Sequence, residues 1–180
     1  AAALADFSRA IELQPDNGYN YRWRGLTHYE LKDYAAALAD FSRAVELQPN
    51  DGYNYHWRGL THYELKDYAA ALADFSRAIE LQPDNGYNYR WRGRTHYHLK
   101  DYAAALADFS RAIQLQPDDS VNYHWRGRMH HELKDYAAAL ADFSRAIQLQ
   151  PDDGDNYRWR GRTHYELKDY AAALADFSRA

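Results

Sequence analysis

Apolar and polar positions alternate along this chain with helical spacing, and the spacing then starts again. From Tyr19 to Leu31, residues Tyr21, Arg24, Gly25, His28 and Leu31 share one side of a helix drawn at about 100° per residue. From Tyr34 to Leu47, residues Tyr34, Ala37, Leu38, Phe41, Ala44, Val45 and Leu47 form a continuous apolar stripe. The spacing predicts two helices, 19–31 and 34–47, joined by a short turn at Lys32-Asp33. Asn17 stands where the first helix needs an N-cap acceptor and Asp33 where the second does. Gln48-Pro49 ends the second helix, because the residue before proline is pushed out of helical geometry.

The whole pattern recurs every 34 residues, as Pro15, Pro49, Pro83, Pro117 and Pro151 mark it. Trp23, Trp57, Trp91, Trp125 and Trp159 keep the step, as do Gly25 and its equivalents and the series that starts at Phe7. The chain reads as one array, with full units at 18–51, 52–85, 86–119 and 120–153. Residues 1–17 are the second half of a unit, and 154–180 is a shortened one. Both ends fall in mid-pattern, as expected of a slice through a longer array. Helices this short are marginal alone in water, so stacking must supply stability. Uncovered end faces, Ala1–Leu13 and Ala171–Ala180, are expected to associate head to tail.

Gly25 and Ala37 are small where paired helices must approach closely, and a mid-helix glycine otherwise costs roughly 0.5–1 kcal/mol. The unit GYNYRWRGLTHYELKDYAAALADFSRAVELQPND, with Gly25, Ala37, Phe41, Ala44 and Pro49, resembles the tetratricopeptide repeat over the whole chain. It departs from that pattern at Tyr21, Arg24 and His28, where the family has Trp, Leu and Tyr. The resemblance implies an all-α fold, a right-handed superhelical solenoid of antiparallel helix pairs whose first helices line the concave side. It further implies binding of a peptide or protein there. Arg24 replaces an inward leucine, and a buried guanidinium needs a partner. Asp40 borders the second helix's apolar stripe in every unit. The expected pairs are Arg24–Asp40, Arg58–Asp74, Arg92–Asp108, Arg126–Asp142 and Arg160–Asp176.

The units differ mainly along one arc of the first helix, opposite its packing side. The candidate ligand-binding residues there are Tyr19, Arg22, Leu26 and Tyr29, then Tyr53, His56, Leu60 and Tyr63. Next come Tyr87, Arg90, Arg94 and Tyr97, then His124, Arg128 and His131, and finally Arg158, Arg162 and Tyr165. Early units offer apolar groups and later ones arginines, which bind carboxylates through paired hydrogen bonds. The expected partner is a peptide or protein with an apolar segment and acidic groups. Glu30, Glu64, Glu132 and Glu166 lie one turn from the Arg or Leu place and are expected to temper the charge. The alternative is structural, with near-identical units stacking end to end into a superhelical fibre. The family's clamp for chaperone tails uses Lys and Asn where this chain has Arg22 and Leu26, so that partner is not supported.

Composition narrows the rest. The net charge of −4 provides no basic field for nucleic acid, although Trp, Tyr and Arg can stack on bases. The invariant tryptophans suit packing between units better than base readout. There is no cysteine, so thiolate zinc sites are excluded and the compartment is not legible. His28, His62, His96, His130 and His164 recur once per unit, about a helix spacing apart, too far to converge on one metal ion. No apolar run approaches the ~20 residues a spanning helix needs. No phosphate loop, nucleophile elbow or His-Glu metal motif is present. The reading is of a scaffold without catalytic site, metal, cofactor or membrane contact.

Overall fold

The structure, a computed structural model, describes residues 2–180. Among these residues stand eleven helices and no strand. They are α1 (Ala2–Leu13), α2 (Gly18–Glu30), α3 (Tyr34–Leu47), α4 (Gly52–Glu64), α5 (Tyr68–Leu81) and α6 (Gly86–His98). The series continues with α7 (Tyr102–Leu115), α8 (Ser120–Glu132), α9 (Tyr136–Leu149), α10 (Gly154–Glu166) and α11 (Tyr170–Phe177). The described residues form two compact units, residues 2–95 and 96–180. In the first, successive helices from α1 to α5 pack on one another, and in the second successive helices from α7 to α11 do the same.

Local chemistry sets the helix ends. Asn17 Oδ1 accepts from the Tyr19 amide at 3.1 Å, and Asp51, Asp119 and Asp153 cap α4, α8 and α10 in the same way. Asp33 caps α3 by accepting from the Ala36 amide at 3.2 Å. The turn between the two helices is tighter than its polar composition suggests. Lys32 adopts φ 61°, in the left-handed region. Its amide donates to Tyr29 O and that of Asp33 to His28 O, each at 2.9 Å. This is a Schellman closure, built with lysine where glycine is usual. Lys66, Lys100, Lys134 and Lys168 repeat it.

Close approach explains the mid-helix glycine. A Cβ on Gly25 would stand 2.9 Å from Phe41 Cε1 and 3.2 Å from Asp40 Cβ. Phe41, Phe75, Phe109 and Phe143 are wholly buried, each flanked by buried alanines three or four residues away. Beside this core lie the ion pairs. Arg24 Nε donates to Asp40 Oδ2 at 2.9 Å and Nη2 to Oδ1 at 2.7 Å. Arg58–Asp74, Arg126–Asp142 and Arg160–Asp176 repeat the two-pronged contact at 2.6–2.8 Å. Arg92 and Asp108 fall in different units.

Candidate functional site: the first-helix face

The aromatic residues of the first helices bind one repeat to the next. In the first unit Trp57 stacks on Phe41 of the preceding repeat, with ring centroids 6.3 Å apart and planes 17° apart. The preceding Tyr29 meets the same indole edge-on at 5.5 Å. Tyr63 meets Trp91 at 5.3 Å. The second unit uses the same joint. Trp125 stacks on Phe109 and meets Tyr97, while Trp159 stacks on Phe143 and meets His131. Such offset-stacked and edge-on pairs follow the ring quadrupoles. Trp57, Trp125 and Trp159 are each wedged between two residues of the preceding repeat, which accounts for their constancy.

This geometry corrects the expectation that the varied arc faces away from packing. Leu60 and Tyr63 are buried, and Tyr29, Tyr97 and His131 are half-buried against the next tryptophan. A first helix touches more than its own partner helix: α2 also reaches α4, and α8 reaches α10. A wheel drawn for one helix pair leaves those contacts out. The Arg/His place is likewise a joint between repeats. Arg22 Nη1 donates to Asp51 at 2.5 Å and to Asn54 Oδ1 at 3.3 Å. At the same place His56 Nδ1 stands 2.6 Å from Asn88 Oδ1, and His124 Nδ1 2.7 Å from Asn156 Oδ1. The asparagine oxygen accepts, so Nδ1 carries the proton. Burial holds both imidazoles, and that of His131, below their ordinary value. Burial and the nearby Glu64 carboxylate raise the Tyr29 phenol.

Sequence reading missed the asparagines. Asn54, Asn88, Asn122 and Asn156 are fully buried, and Asn54 Nδ2 donates to the Ala44 carbonyl at 3.2 Å. That bond ties the start of one repeat to the second helix of the one before. The available signal was a polar residue at the same place in every unit, Asn20 included.

Other candidate residues remain accessible. Tyr19, Tyr53, Tyr87 and Tyr165 are about half exposed, and Leu26 is partly so. Arg90 lies over the Tyr87 ring at 4.7 Å, and Arg158 pairs with Asp155 on its own helix. Arg94 Cζ lies 4.0 Å from the Trp91 ring centroid and 5.3 Å from that of Tyr63. Arg128 Cζ lies between two indoles, 4.2 Å from Trp125 and 4.6 Å from Trp159, and its Nη2 donates to the Tyr97 hydroxyl at 2.7 Å. Arg162, exposed, lies over Trp159 at 4.4 Å. The face is thus built of indoles and guanidinium groups held by cation–π contact.

A stack of helix pairs whose first helices present such a face defines a helical repeat scaffold. Three tetratricopeptide repeat models match the sequence, over residues 21–51, 58–120 and 121–153. The chain belongs to the tetratricopeptide repeat family. No curated relative matches the sequence. Among solved structures, YrrB, described as a tetratricopeptide repeat protein with an unusual peptide-binding site, matches with a TM-score of 0.81 at 21% identity. That match covers 96% of this chain and 89% of YrrB. MamA from Desulfovibrio magneticus RS-1 matches with a TM-score of 0.85 at 19% identity, over 89% of this chain and 91% of that one. At such identities the likeness is one of fold. No helix among the described residues is long and apolar enough to cross a membrane.

Proposed function

We propose that the chain is a non-catalytic scaffold that binds an acidic peptide or protein segment on its first-helix face. One observation carries this reading: Arg128 and Arg162 flank the same indole, Trp159, at 4.6 and 4.4 Å. Their guanidinium carbons are no further apart than the sum of those distances, about 9 Å. Two like charges at that separation repel, and anionic groups bound beside them at the edge of the ring relieve the repulsion. Side chains two residues apart on an extended peptide project to one side roughly 7 Å apart, a span that suits this pair. The stacked planes are already oriented, so less side-chain freedom is lost on binding than for a free arginine. The peptide-binding site named for YrrB supports a peptide as the ligand.

The test is fluorescence anisotropy with a labelled peptide carrying glutamate at alternate positions. Arg162→Ala should weaken binding roughly tenfold, the loss of one charge-assisted contact. Arg77→Ala, on α5 and engaged with Glu80, should change it less than about twofold. Affinity should fall with added salt. Equal losses from both substitutions, or indifference to salt, would overturn the reading. Sedimentation across a dilution series separates it from end-to-end stacking: mass rising with concentration, with no peptide bound, would favour assembly.

A further inference from the structure

Between Trp23 and Trp57 the first unit holds an open cleft of ≈ 390 Å³, lined by Arg22, Trp23, Leu26, Tyr53 and Trp57. We infer that this cleft is a binding slot for one aromatic side chain of a peptide ligand.

The chain itself shows what fits between consecutive indoles. In the second unit the corresponding space, between Trp125 and Trp159, holds the planar guanidinium of Arg128 at 4.2 and 4.6 Å from the two ring centroids. Leu26 stands at the place of Arg128 and is too short and too bulky at its branch to reach between the rings. The next space, between Trp57 and Trp91, is also floored by leucine, yet it is closed: Leu60 is only 4% exposed. Trp57, Trp91 and Tyr63 pack around it, and Arg94 lies as a cover over the last two rings. The first space lacks that cover because the next residue in the series is Leu60, not arginine. Two leucines in succession therefore leave one slot open.

Shape and charge choose the occupant. The walls are indole faces, which favour a flat group stacked between them or an edge turned toward them. A ligand arginine would share the slot with Arg22, whose natural counter-charge, Asp51, is already engaged at 2.5 Å. A neutral ring meets no such repulsion. Tyr53, half exposed at the rim, adds a further ring edge. The slot lies wholly within the first unit, and the arginines of the acidic site proposed above lie in the second. The inference rests on the peptide-binding reading for its ligand class, while its residues are separate.

The five indole N–H signals of an NMR spectrum read the slot directly. N-acetyl-phenylalaninamide, titrated into the intact chain, should shift the Trp23 and Trp57 signals and leave Trp125 and Trp159 in place. Leu26→Arg fills the slot from within, as Arg128 does in the second unit, and should weaken the response roughly tenfold. The same variant should keep its affinity for the glutamate peptide, so failure of the slot and failure of the acidic site are told apart. Arg94→Leu should open a second slot above Leu60 and bring Trp91 into the response. Shifts spread evenly over all five indoles, or a response unchanged by Leu26→Arg, would overturn the inference.

Discussion

Arg58 and Asp74 meet through two parallel hydrogen bonds, Nε to Oδ2 at 2.8 Å and Nη2 to Oδ1 at 2.6 Å, beside the buried Phe75. The carboxylate is almost fully buried, and His62 Nε2 stands 3.8 Å from it. An orphaned buried carboxylate is costly, whereas an apolar pair of similar volume need not be. Arg58→Leu should therefore destabilise the protein by about 2–4 kcal/mol. Arg58→Leu combined with Asp74→Ala should recover more than half of that loss. Urea unfolding of the two single variants and the double variant measures the coupling. Additive losses would show that the pair does not act as a unit.

Gly59 should not tolerate alanine, although alanine is the better helix former. A Cβ there would lie 3.0 Å from Phe75 Cε1 and 3.2 Å from Asp74 Cβ. Phe75 is wholly buried and has nowhere to move. Overpacking of this kind costs about 1–3 kcal/mol, against roughly 1 kcal/mol gained in helix propensity. Thermal unfolding of Gly59→Ala should show a lower midpoint, and a raised one would mean the helices spread without penalty.

The left-handed lysines predict the reverse. Lys66 sits at φ 62° in a turn that glycine adopts without steric penalty. Lys66→Gly should raise stability by up to about 1 kcal/mol, and Lys66→Ala should not, because alanine keeps the Cβ clash. Differential scanning calorimetry of both variants makes the comparison.

Stability should also depend on pH through the inter-repeat histidines. Burial holds His56 and His124 below the ordinary imidazole value of 6.5, so the folded protein keeps them neutral. Below that pH the unfolded chain takes up protons that the folded chain refuses. Their stabilising contribution is complete above pH 6.5 and is lost as the pH falls toward the lowered folded values. The urea midpoint should drop between about pH 7 and about pH 5.5, above the range where carboxylates titrate. Replacing both with glutamine should flatten that slope, and an unchanged slope would place the pH sensitivity elsewhere.

Much of this molecule was legible in its sequence because the signals are local. N-caps at Asn17 and Asp33, proline after Gln48, and apolar residues spaced over one turn all act within four or five residues. The partnership of Arg24 with Asp40 was legible too, since both belong to one helix pair and a charge in that place requires a counter-charge. Tertiary structure decided which residues of the first helices stay exposed. Tyr63 and Leu60 turn inward, and Asn54 is sealed, because the next or the preceding repeat lies against them. Those contacts join residues of neighbouring repeats, from 10 to 32 positions apart, beyond the reach of a helical wheel. The openness of the cleft at Leu26 depends on two places at once, Leu26 and Leu60, and on what Arg94 and Arg128 do at the same places elsewhere. Side chains that pass between stacked repeats are placed by the stacking, and that is a property of the folded array.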